Sequence, residues 1–204
     1  MPPFLVSGVR RREVLLVKEN GCKTTFLYRP ATAADIPVMV AIMEAAISSL
    51  MDDFLTPEQV EASFEVMGLD TQLVEDGTYY VILEGEQIVG CGGWSNRATL
   101  YGNNQTKGRD ARLLDPARDA ARIRAMYTHP DHVRRGVGRM VMELCEEKAQ
   151  ESGFSRCELM ATLAGEPLYR ACGYKVVEHE EAAASNGATV PLILMEKNVW
   201  ARSV

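Results

Sequence analysis

The chain has 204 residues, of which 47% are hydrophobic and 25% charged, a balance typical of a globular domain and not of a disordered or fibrous chain. Its 28 acidic residues outnumber the 22 basic ones, and the formal net charge of -6 argues against general binding to nucleic acid or to an anionic membrane. No apolar run reaches the roughly 18 residues of a membrane span, and apolar residues 4–6 precede basic residues 10–12, the reverse of a secretory signal, so we expect a cytoplasmic protein.

The five cysteines are Cys22, Cys91, Cys145, Cys157 and Cys172. An odd number without a Cys-x-x-Cys pair argues against both a disulfide framework and a structural zinc site. We expect buried small apolar residues or incidental thiols. His129 and His132 have i, i+3 spacing but no third ligand nearby in the sequence, so we predict no metal ion.

The first third of the chain predicts an extension, a strand and two helices. Residues 1–24 show no clear period and form an N-terminal extension that either pairs as an extra strand or stays mobile, ahead of a single domain over residues 25–204. Residues 25–29 are strand-like. A helix then follows Thr32, and a second helix begins with Thr56 as N-cap and ends near Gly68. The apolar residues at helical spacing in the first helix are Ile36, Met39, Val40, Met43, Ile47 and Leu50.

The rest of the chain predicts a hairpin, a long loop, and then alternating strands and helices. The predicted segments are strand 79–83, strand 88–94, loop 95–120, strand 121–128, helix 139–151, strand 156–161, helix 166–172, a strand from residue 173, and strand 190–199. A loop as long as 95–120 is usually functional or partly disordered, and we expect it to be mobile. One α+β domain around a mixed sheet is the simplest assembly.

Basic residues concentrate around a glycine-rich turn. Residues 97–139 carry ten Lys and Arg against four Asp, whereas the remainder carries 12 basic and 24 acidic residues. The turn joins strand 121–128 to the next helix, where free backbone N–H groups and the helix dipole favour an anion and glycines let a phosphate approach. It is neither a dinucleotide fingerprint nor a Walker loop. The residues alone leave open a phosphate site or a solvated basic loop.

With its flanking elements, this turn resembles the signature of the GNAT superfamily of acyl-CoA-dependent N-acetyltransferases, Gln/Arg-x-x-Gly-x-Gly/Ala between a strand and a helix. The chain reads Val133-Arg134-Arg135-Gly136-Val137-Gly138, and Val133 departs from the usual Gln or Arg. The resemblance covers residues 28–195, including the closing Leu168-Tyr169-Arg170-Ala171-Cys172-Gly173-Tyr174. It implies a single α+β (α/β three-layer) domain, whose central, mostly antiparallel mixed sheet is splayed at the signature strand and flanked by helices.

The resemblance also implies acetyl-CoA as co-substrate and, as in many family members, a homodimer. The N–H groups that would hold its pyrophosphate belong to Arg134, Arg135, Gly136, Val137, Gly138 and Arg139. The backbone that would run beside the pantetheine arm belongs to Met126, Tyr127 and Thr128. A second departure is Leu163, which stands at or near the place where many relatives have an asparagine that touches pantetheine.

Acetyl transfer to an amine poses two proton problems. An alkyl ammonium with a pKa of about 10.4 must lose a proton, at a cost of roughly 4 to 5 kcal/mol at pH 7, so a base or a water chain is needed. By resemblance, Glu158 matches a catalytic carboxylate of some family members, although a solvated strand glutamate is the alternative; His129 and His132 are further relay candidates. The departing thiolate needs a proton donor, and Tyr169 matches the family's general acid. The backbone N–H of Tyr127 matches the oxyanion donor.

The implied function is an acyltransferase that moves the acetyl group of acetyl-CoA to a primary amine of a small molecule or peptide by direct attack. A non-catalytic acyl-CoA-binding or sensing protein on the same fold is the alternative. Nucleophilic catalysis by Cys157 or Cys172 is disfavoured, because neither stands at a helix N-terminus beside an identified base. An acidic mouth for a polyamine, aminoglycoside or lysine side chain, or else a solvated helix face, would be formed by Asp52, Asp53, Glu58, Glu61 and Glu65.

Overall fold

The structure is a computed structural model that describes residues 13–19, 22–104 and 110–199. Its strands and helices, in chain order, are β1 (Glu13–Glu19), β2 (Cys22–Pro30), α1 (Ile36–Leu50), α2 (Pro57–Val66), α3 (Thr71–Glu75), β3 (Tyr79–Glu84), β4 (Gln87–Ser95), β5 (Ala121–Thr128), α4 (Val137–Glu151), β6 (Arg156–Thr162), α5 (Glu166–Ala171), β7 (Lys175–Ala183) and β8 (Thr189–Asn198). Short 3-10 turns at Ala33–Asp35 and Pro130–His132 precede α1 and follow β5.

The described strands form one mixed sheet in the order β1-β2-β3-β4-β5-β6-β8-β7, with every neighbouring pair antiparallel except β5 and β6. Side chains alternate between its two faces. On β3, Tyr80 and Ile82 join the core beneath α4, whereas Tyr79, Val81 and Leu83 join the core beneath α1. Helices therefore cover both faces, which confirms the predicted single three-layer α+β domain.

The parallel pair β5 and β6 stays together over only three residue pairs, from Ala121 opposite Cys157 to Ile123 opposite Leu159. Beyond that point β5 continues to Thr128 and β6 to Thr162 without pairing to each other. The sheet is therefore splayed beside the signature strand, as predicted, and the gap between the two strands opens towards the start of α4.

Two glycines of β4 let α4 pack directly on the sheet. A Cβ at Gly90 would lie 2.6 Å from Val137 Cγ1, and one at Gly92 would lie 2.4 Å from Val141 Cγ1. Since real side chains do not approach so closely, any larger residue here would push the helix outward. These glycines thus fix how near the helix N-terminus stands to the end of β5.

The structure adds three features that the sequence did not predict. The short helix α3 begins after Asp70, whose side chain caps it by accepting a hydrogen bond from Gln72 N. Strand β8 lies between β6 and β7. Strand β7 forms the edge of the sheet, and a hairpin at residues 184–188 returns the chain so that β8 pairs with both β7 and β6. Helix α4 begins at Val137, two residues before the predicted start.

Part of the N-terminal extension takes the strand alternative, since β1 pairs antiparallel with β2. Residues 1–12 and 20–21 of that extension lie outside the described residues. The described portions of loop 95–120 contact the rest of the domain. Arg97 forms a β-bridge with Leu113, and the Arg97 guanidinium lies 2.7 Å from the Asp76 carboxylate. Asn103 donates a hydrogen bond to Glu65 O. The predicted mobility of this loop remains a prediction for residues 105–109, which the structure does not describe.

One segment of the described chain, Ala33–Leu50, is long and apolar enough to cross a membrane by length and composition alone, with a mean hydropathy of 1.6 over 18 residues. Its helix α1 packs Met39, Ile42 and Ile47 inside the domain. The core helix of a globular domain meets the same two criteria, so this segment is weak evidence for a membrane span.

Candidate functional site

A cleft of about 690 Å³ opens where β5 and β6 separate. One end is lined by the part of β5 after Ala125, the start of α4 and the segment from the end of β6 into α5. The other end is lined by the second half of α1, the turn after it, residues 66–68, residues 100–102, Arg124, Met160 and Leu192. We call these the cofactor end and the acceptor end. A cleft of this size suits a small-molecule ligand.

A bulge in β5 separates the two ends. Ala125 adopts a left-handed φ of +52°, and the pairing register with β4 shifts between Cys91 and Gly93. The buried Tyr79 hydroxyl donates to Ala125 O at 2.8 Å. This bond satisfies a carbonyl that the bulge turns out of the ladder, and it offsets part of the cost of a left-handed alanine. Met126, Tyr127 and Thr128, which follow the bulge, line the cleft.

The start of α4 presents unpaired amides to the cofactor end. Gly136 is the N-cap residue with φ of +87°, and the first intrahelical bond runs from Met140 N to Gly136 O at 3.0 Å. The N–H groups of the first turn, at Val137, Gly138 and Arg139, therefore have no helical carbonyl to bond. All three residues line the cleft, where the helix dipole adds positive potential.

Gly138 has a packing role as well. A Cβ at this position would lie 2.7 Å from Leu168 Cδ2, so the glycine lets α5 close over the first turn of α4. The second glycine of the signature therefore serves helix packing at least as directly as it serves ligand access.

Eight of the nine predicted cofactor-binding residues line the cleft, and Arg135 is the exception. Its guanidinium pairs with Glu84 at the end of β3, with Nη1 3.0 Å from Oε2, and lies over the Phe26 ring. The Arg135 guanidinium lowers the pKa of Glu84, and His132 Nε2 also approaches that carboxylate, at 3.2 Å. The side chain of Arg135 thus ties the turn to the sheet instead of facing the cleft.

Tyr169 lines the cofactor end from α5 and is partly buried against the main core. Its ring meets Tyr174 edge to face, with centroids 6.4 Å apart, and a Cβ at Gly165 would lie 2.8 Å from its Cε2. Burial raises the pKa of the Tyr169 phenol to about 12, so the group keeps its proton at neutral pH. A protonated phenol in a cleft is what a general acid requires.

Tyr127 faces the same cleft from the opposite side of the gap. Burial and the nearby Cys91 thiol both raise the pKa of its phenol. The backbone of Tyr127 pairs with Cys91 of β4. Burial raises the pKa of the Cys91 thiol to about 12, and a hydrogen bond from the Tyr127 backbone offsets part of that rise. The predicted role of Tyr127 as oxyanion donor concerns this same backbone, and that role remains a prediction.

Glu158 is placed elsewhere. It stands opposite Arg122 in the paired part of β5 and β6, and the two side chains form an ion pair. It is not among the residues that line the cleft, whereas its neighbours Leu159 and Met160 are. The structure therefore does not bring Glu158 together with Tyr169.

The arrangement of the described histidines and cysteines favours neither a metal site nor a cysteine nucleophile. His129 and His132 stack edge to face with centroids 5.5 Å apart, and of the two only His132 lines the cleft. Burial raises the pKa of the thiols of Cys157 and Cys172, which disfavours the reactive thiolate. Within the described ranges, no group of three or more His, Cys, Asp or Glu side chains is arranged for a metal ion.

A buried ion pair at the acceptor end was not predicted. Arg124 on β5 donates to Asp70 Oδ2 at 2.5 Å and to Gly102 O at 3.1 Å, and both side chains are buried. Arg124 thereby connects the start of α3 to the loop that lines the cleft. An arginine between apolar residues of a predicted central strand was the available signal, but its partner lies 54 positions away.

The predicted acidic mouth is divided between two places. Asp53 lines the cleft, whereas Glu61 and Glu65 line a separate recess that also includes Phe64. Glu65 accepts hydrogen bonds from the backbone N and hydroxyl of Ser185, which lower the pKa of its carboxyl. Most of this charge therefore belongs to the surface between α2 and the last hairpin.

Comparison with known proteins gives a family match over most of the site. The sequence profile of the Acetyltransferase (GNAT) family matches residues 43–174. No curated protein sequence matches the chain at a significant level.

Several solved structures that are named as acetyltransferases have the same fold. A GCN5-related N-acetyltransferase from Rhodopseudomonas palustris is 22% identical, with a TM-score of 0.62 and coverage of 84% of this chain and 94% of that chain. The PaiA N-acetyltransferase from Thermoplasma acidophilum, in complex with coenzyme A, is 12% identical, with a TM-score of 0.58 and coverage of 85% and 98%. The putative acetyltransferase yncA from Salmonella typhimurium, with its cofactor acetyl-CoA, is 16% identical, with a TM-score of 0.57 and coverage of 88% and 96%.

Proposed function

The chain belongs to the GNAT acetyltransferase family, and we propose that it transfers the acetyl group of acetyl-CoA to a primary amine of a small molecule or peptide. One observation carries the proposal: the first residues of α4, whose amides lack helical partners, and Tyr169 line one continuous cleft. Anion-binding amides alone would suit many ligands, and a cleft tyrosine alone would suit many sites. Their combination within this family fits an acyl-CoA whose phosphates and thioester lie at opposite ends of one long molecule.

The cofactor end fits that ligand by its chemistry. The amides of Val137, Gly138 and Arg139 would hold the pyrophosphate, with positive charge added by the side chains of Arg134 and Arg139. The free edge of β5 beyond Ile123 would hydrogen-bond the amides of the pantetheine arm. Acetyl-CoA brings an activated acyl group, and the protein supplies position and proton transfer.

Tyr169 acts as the general acid in this proposal. The amine nitrogen attacks the thioester carbon, the carbon–sulfur bond breaks, and the departing sulfur takes the proton of the Tyr169 hydroxyl. Because burial raises the pKa of Tyr169 to about 12, the proton is present at neutral pH. The backbone N–H of Tyr127 would have to leave its contact with Cys91 of β4 to stabilise negative charge on the carbonyl oxygen.

The amine must also lose a proton, and the arrangement favours water over Glu158 for this step. The carboxylate of Glu158 forms an ion pair with Arg122 outside the cleft. Among the described lining residues, Asp53 is the only one with a carboxylate. Water in the open acceptor end therefore serves as the base in this proposal.

Calorimetric titration with acetyl-CoA, CoA and ATP, followed by a thiol-release assay with a panel of amines, tests the function. We expect selective binding of acetyl-CoA and CoA, and amine-dependent release of CoA. Binding without release by any amine would contradict catalysis and favour a sensing role. A homodimer is a further proposal, which sedimentation equilibrium would measure.

A further inference from the structure

The acceptor end of the cleft is lined mainly by apolar and aromatic side chains. Phe54, in the turn after α1, is 47% exposed, and Tyr101, in the opposite loop, is 37% exposed. Exposed aromatic side chains that line one concave pocket are typical of a site that binds an apolar ligand. Between these two aromatic residues the wall is completed by Ala46, Ile47, Leu50, Val66, Leu100 and Leu192.

Methionines form another part of this wall. The lining includes Met51, Met67 and Met160, from three separate segments. Methionine is unbranched and polarisable, so it adapts to apolar ligands of different shapes and makes favourable sulfur contacts with aromatic rings. This composition favours an apolar ligand body and tolerance of its shape.

Fixed charge at the acceptor end is small. Arg124 lines the cleft, but its guanidinium is paired with the buried Asp70, so the two formal charges cancel. Asp53, exposed in the turn after α1, is the only acidic residue among the described lining residues. One carboxylate matches one ammonium group. Glu61 and Glu65 of α2 line the separate recess instead.

From this distribution we infer that the acceptor is a primary amine carried on an aromatic or branched aliphatic body, with its apolar part against Phe54, Tyr101 and the methionines. The inference rests on the proposed acetyltransferase function. Asp53 attracts the ammonium group as the amine enters. A polyamine or an aminoglycoside would place further ammonium groups against apolar side chains, where desolvation without a partner is costly.

Steady-state kinetics with two groups of amines test this inference. The apolar group is 2-phenylethylamine, tryptamine and 3-methylbutylamine, and the polycationic group is spermidine, kanamycin and an oligolysine peptide. We expect kcat/KM for the best apolar amine to exceed that for every polycation by at least about 10-fold, as desolvation of unpaired charge requires. Equal or better turnover of a polycation would overturn the inference but leave the acetyltransferase function intact.

A matched pair of variants locates the effect. Phe54→Ala should raise KM for 2-phenylethylamine by about 3- to 10-fold, because roughly half of a phenylalanine side chain is available for burial by the ligand. Its affinity for acetyl-CoA should not change. Phe64→Ala, which truncates a similarly exposed phenylalanine in the separate recess, should leave both values unchanged. Equal effects of the two variants would overturn the assignment of this wall.

A binding measurement separates failure of the inference from failure of the proposed function. 2-Phenylethylamine is titrated calorimetrically into the protein saturated with CoA, with spermidine as the comparison. Preferential binding of 2-phenylethylamine, weakened by Phe54→Ala, supports the apolar site even if turnover is absent. Preferential binding of spermidine overturns it. Absence of CoA binding at millimolar ligand would overturn the proposed function itself, and with it the acceptor.

Discussion

At the cofactor end of the cleft, one continuous segment over residues 126–139 supplies the strand edge, the turn and the first turn of α4, and α5 adds Tyr169. Its groups are largely backbone groups, whose positions follow from local conformation. At the acceptor end, α1, the turn after it, residues 100–102 and β8 contribute side chains that meet only in the folded protein. A site built from one segment can be recognised as a motif, whereas a site assembled from several segments depends on packing over long sequence distances.

The largest effect is expected where the acceptor end is held together, at the buried pair of Asp70 and Arg124. Asp70→Asn keeps the shape of the side chain and its ability to cap α3, since Asn is also a good N-cap residue. It removes the negative charge that faces a buried guanidinium. We expect the free energy of unfolding to fall by about 3 to 5 kcal/mol, measured by denaturant titration.

Asp115→Asn, at an exposed carboxylate near Arg118, is the control and should change stability by less than about 0.5 kcal/mol. Its loop position makes it a test of surface charge alone. A loss at Asp70→Asn no larger than that of the control would show that the acceptor end does not depend on the long-range pair.

The next effect concerns the chemistry between the two ends. Tyr169→Phe should lower kcat by about 10²-fold with nearly unchanged affinity for acetyl-CoA, because it removes one proton and little packing. Tyr174→Phe removes a phenol oxygen from the adjacent ring, which does not line the cleft, and should leave kcat unchanged. Unchanged turnover in Tyr169→Phe would remove Tyr169 from the mechanism.

The pH profile gives a second test of Tyr169. Because its pKa is raised to about 12, the acid form persists as the pH rises past the ordinary tyrosine value of about 10. Wild-type kcat should therefore not decline between about pH 8 and 10 through loss of this proton. A decline that disappears in Tyr169→Phe would contradict the raised pKa.

The same contrast explains what the sequence could predict. Gly136, Gly138 and the helix after them are local features, and eight of the nine predicted cofactor-binding residues line the cleft. The contact between the Arg135 side chain and Glu84 was not predicted, because Glu84 lies on β3 and local spacing cannot reveal it. The strand order was not predicted for a similar reason, since no pattern in β7 or β8 shows which strand pairs with β6.

The acceptor end could not be predicted from the residues that form it. Phe54 lies in a turn and Tyr101 in a loop, where periodicity carries no information about neighbours. The predicted acidic mouth was inferred from charges close in sequence, whereas the structure separates Asp53 from Glu61 and Glu65. Asp53 lies in the turn before α2, whereas Glu61 and Glu65 lie on α2, and tertiary packing decides which recess each side chain lines.

A smaller effect tests the backbone character of the cofactor end. Gly136→Asp adds a side chain and a negative charge at a residue with φ of +87°, and should weaken CoA binding by at least about 10-fold in calorimetry. Gly187→Asp, at φ of +83° in the turn between β7 and β8, carries a similar backbone strain away from the cleft. It should lower stability alone. Equal CoA affinity in Gly136→Asp and wild type would contradict the proposed cradle.

The smallest effect separates side chains within the cofactor end itself. Arg139 lines the cleft, whereas Arg135 is paired with Glu84, so the two arginines should contribute unequally although they are four residues apart. Arg139→Gln should weaken CoA binding by about 3- to 10-fold, as expected for one partly exposed charge-assisted contact. Arg135→Gln should change the affinity by less than about 2-fold while lowering stability, since its contact holds the turn to β3. If Arg135→Gln weakened CoA binding as much as Arg139→Gln, the turn would have to reorganise around the cofactor, and the backbone would not be preformed for it. The cofactor end would then depend on distant contacts in the same way as the acceptor end.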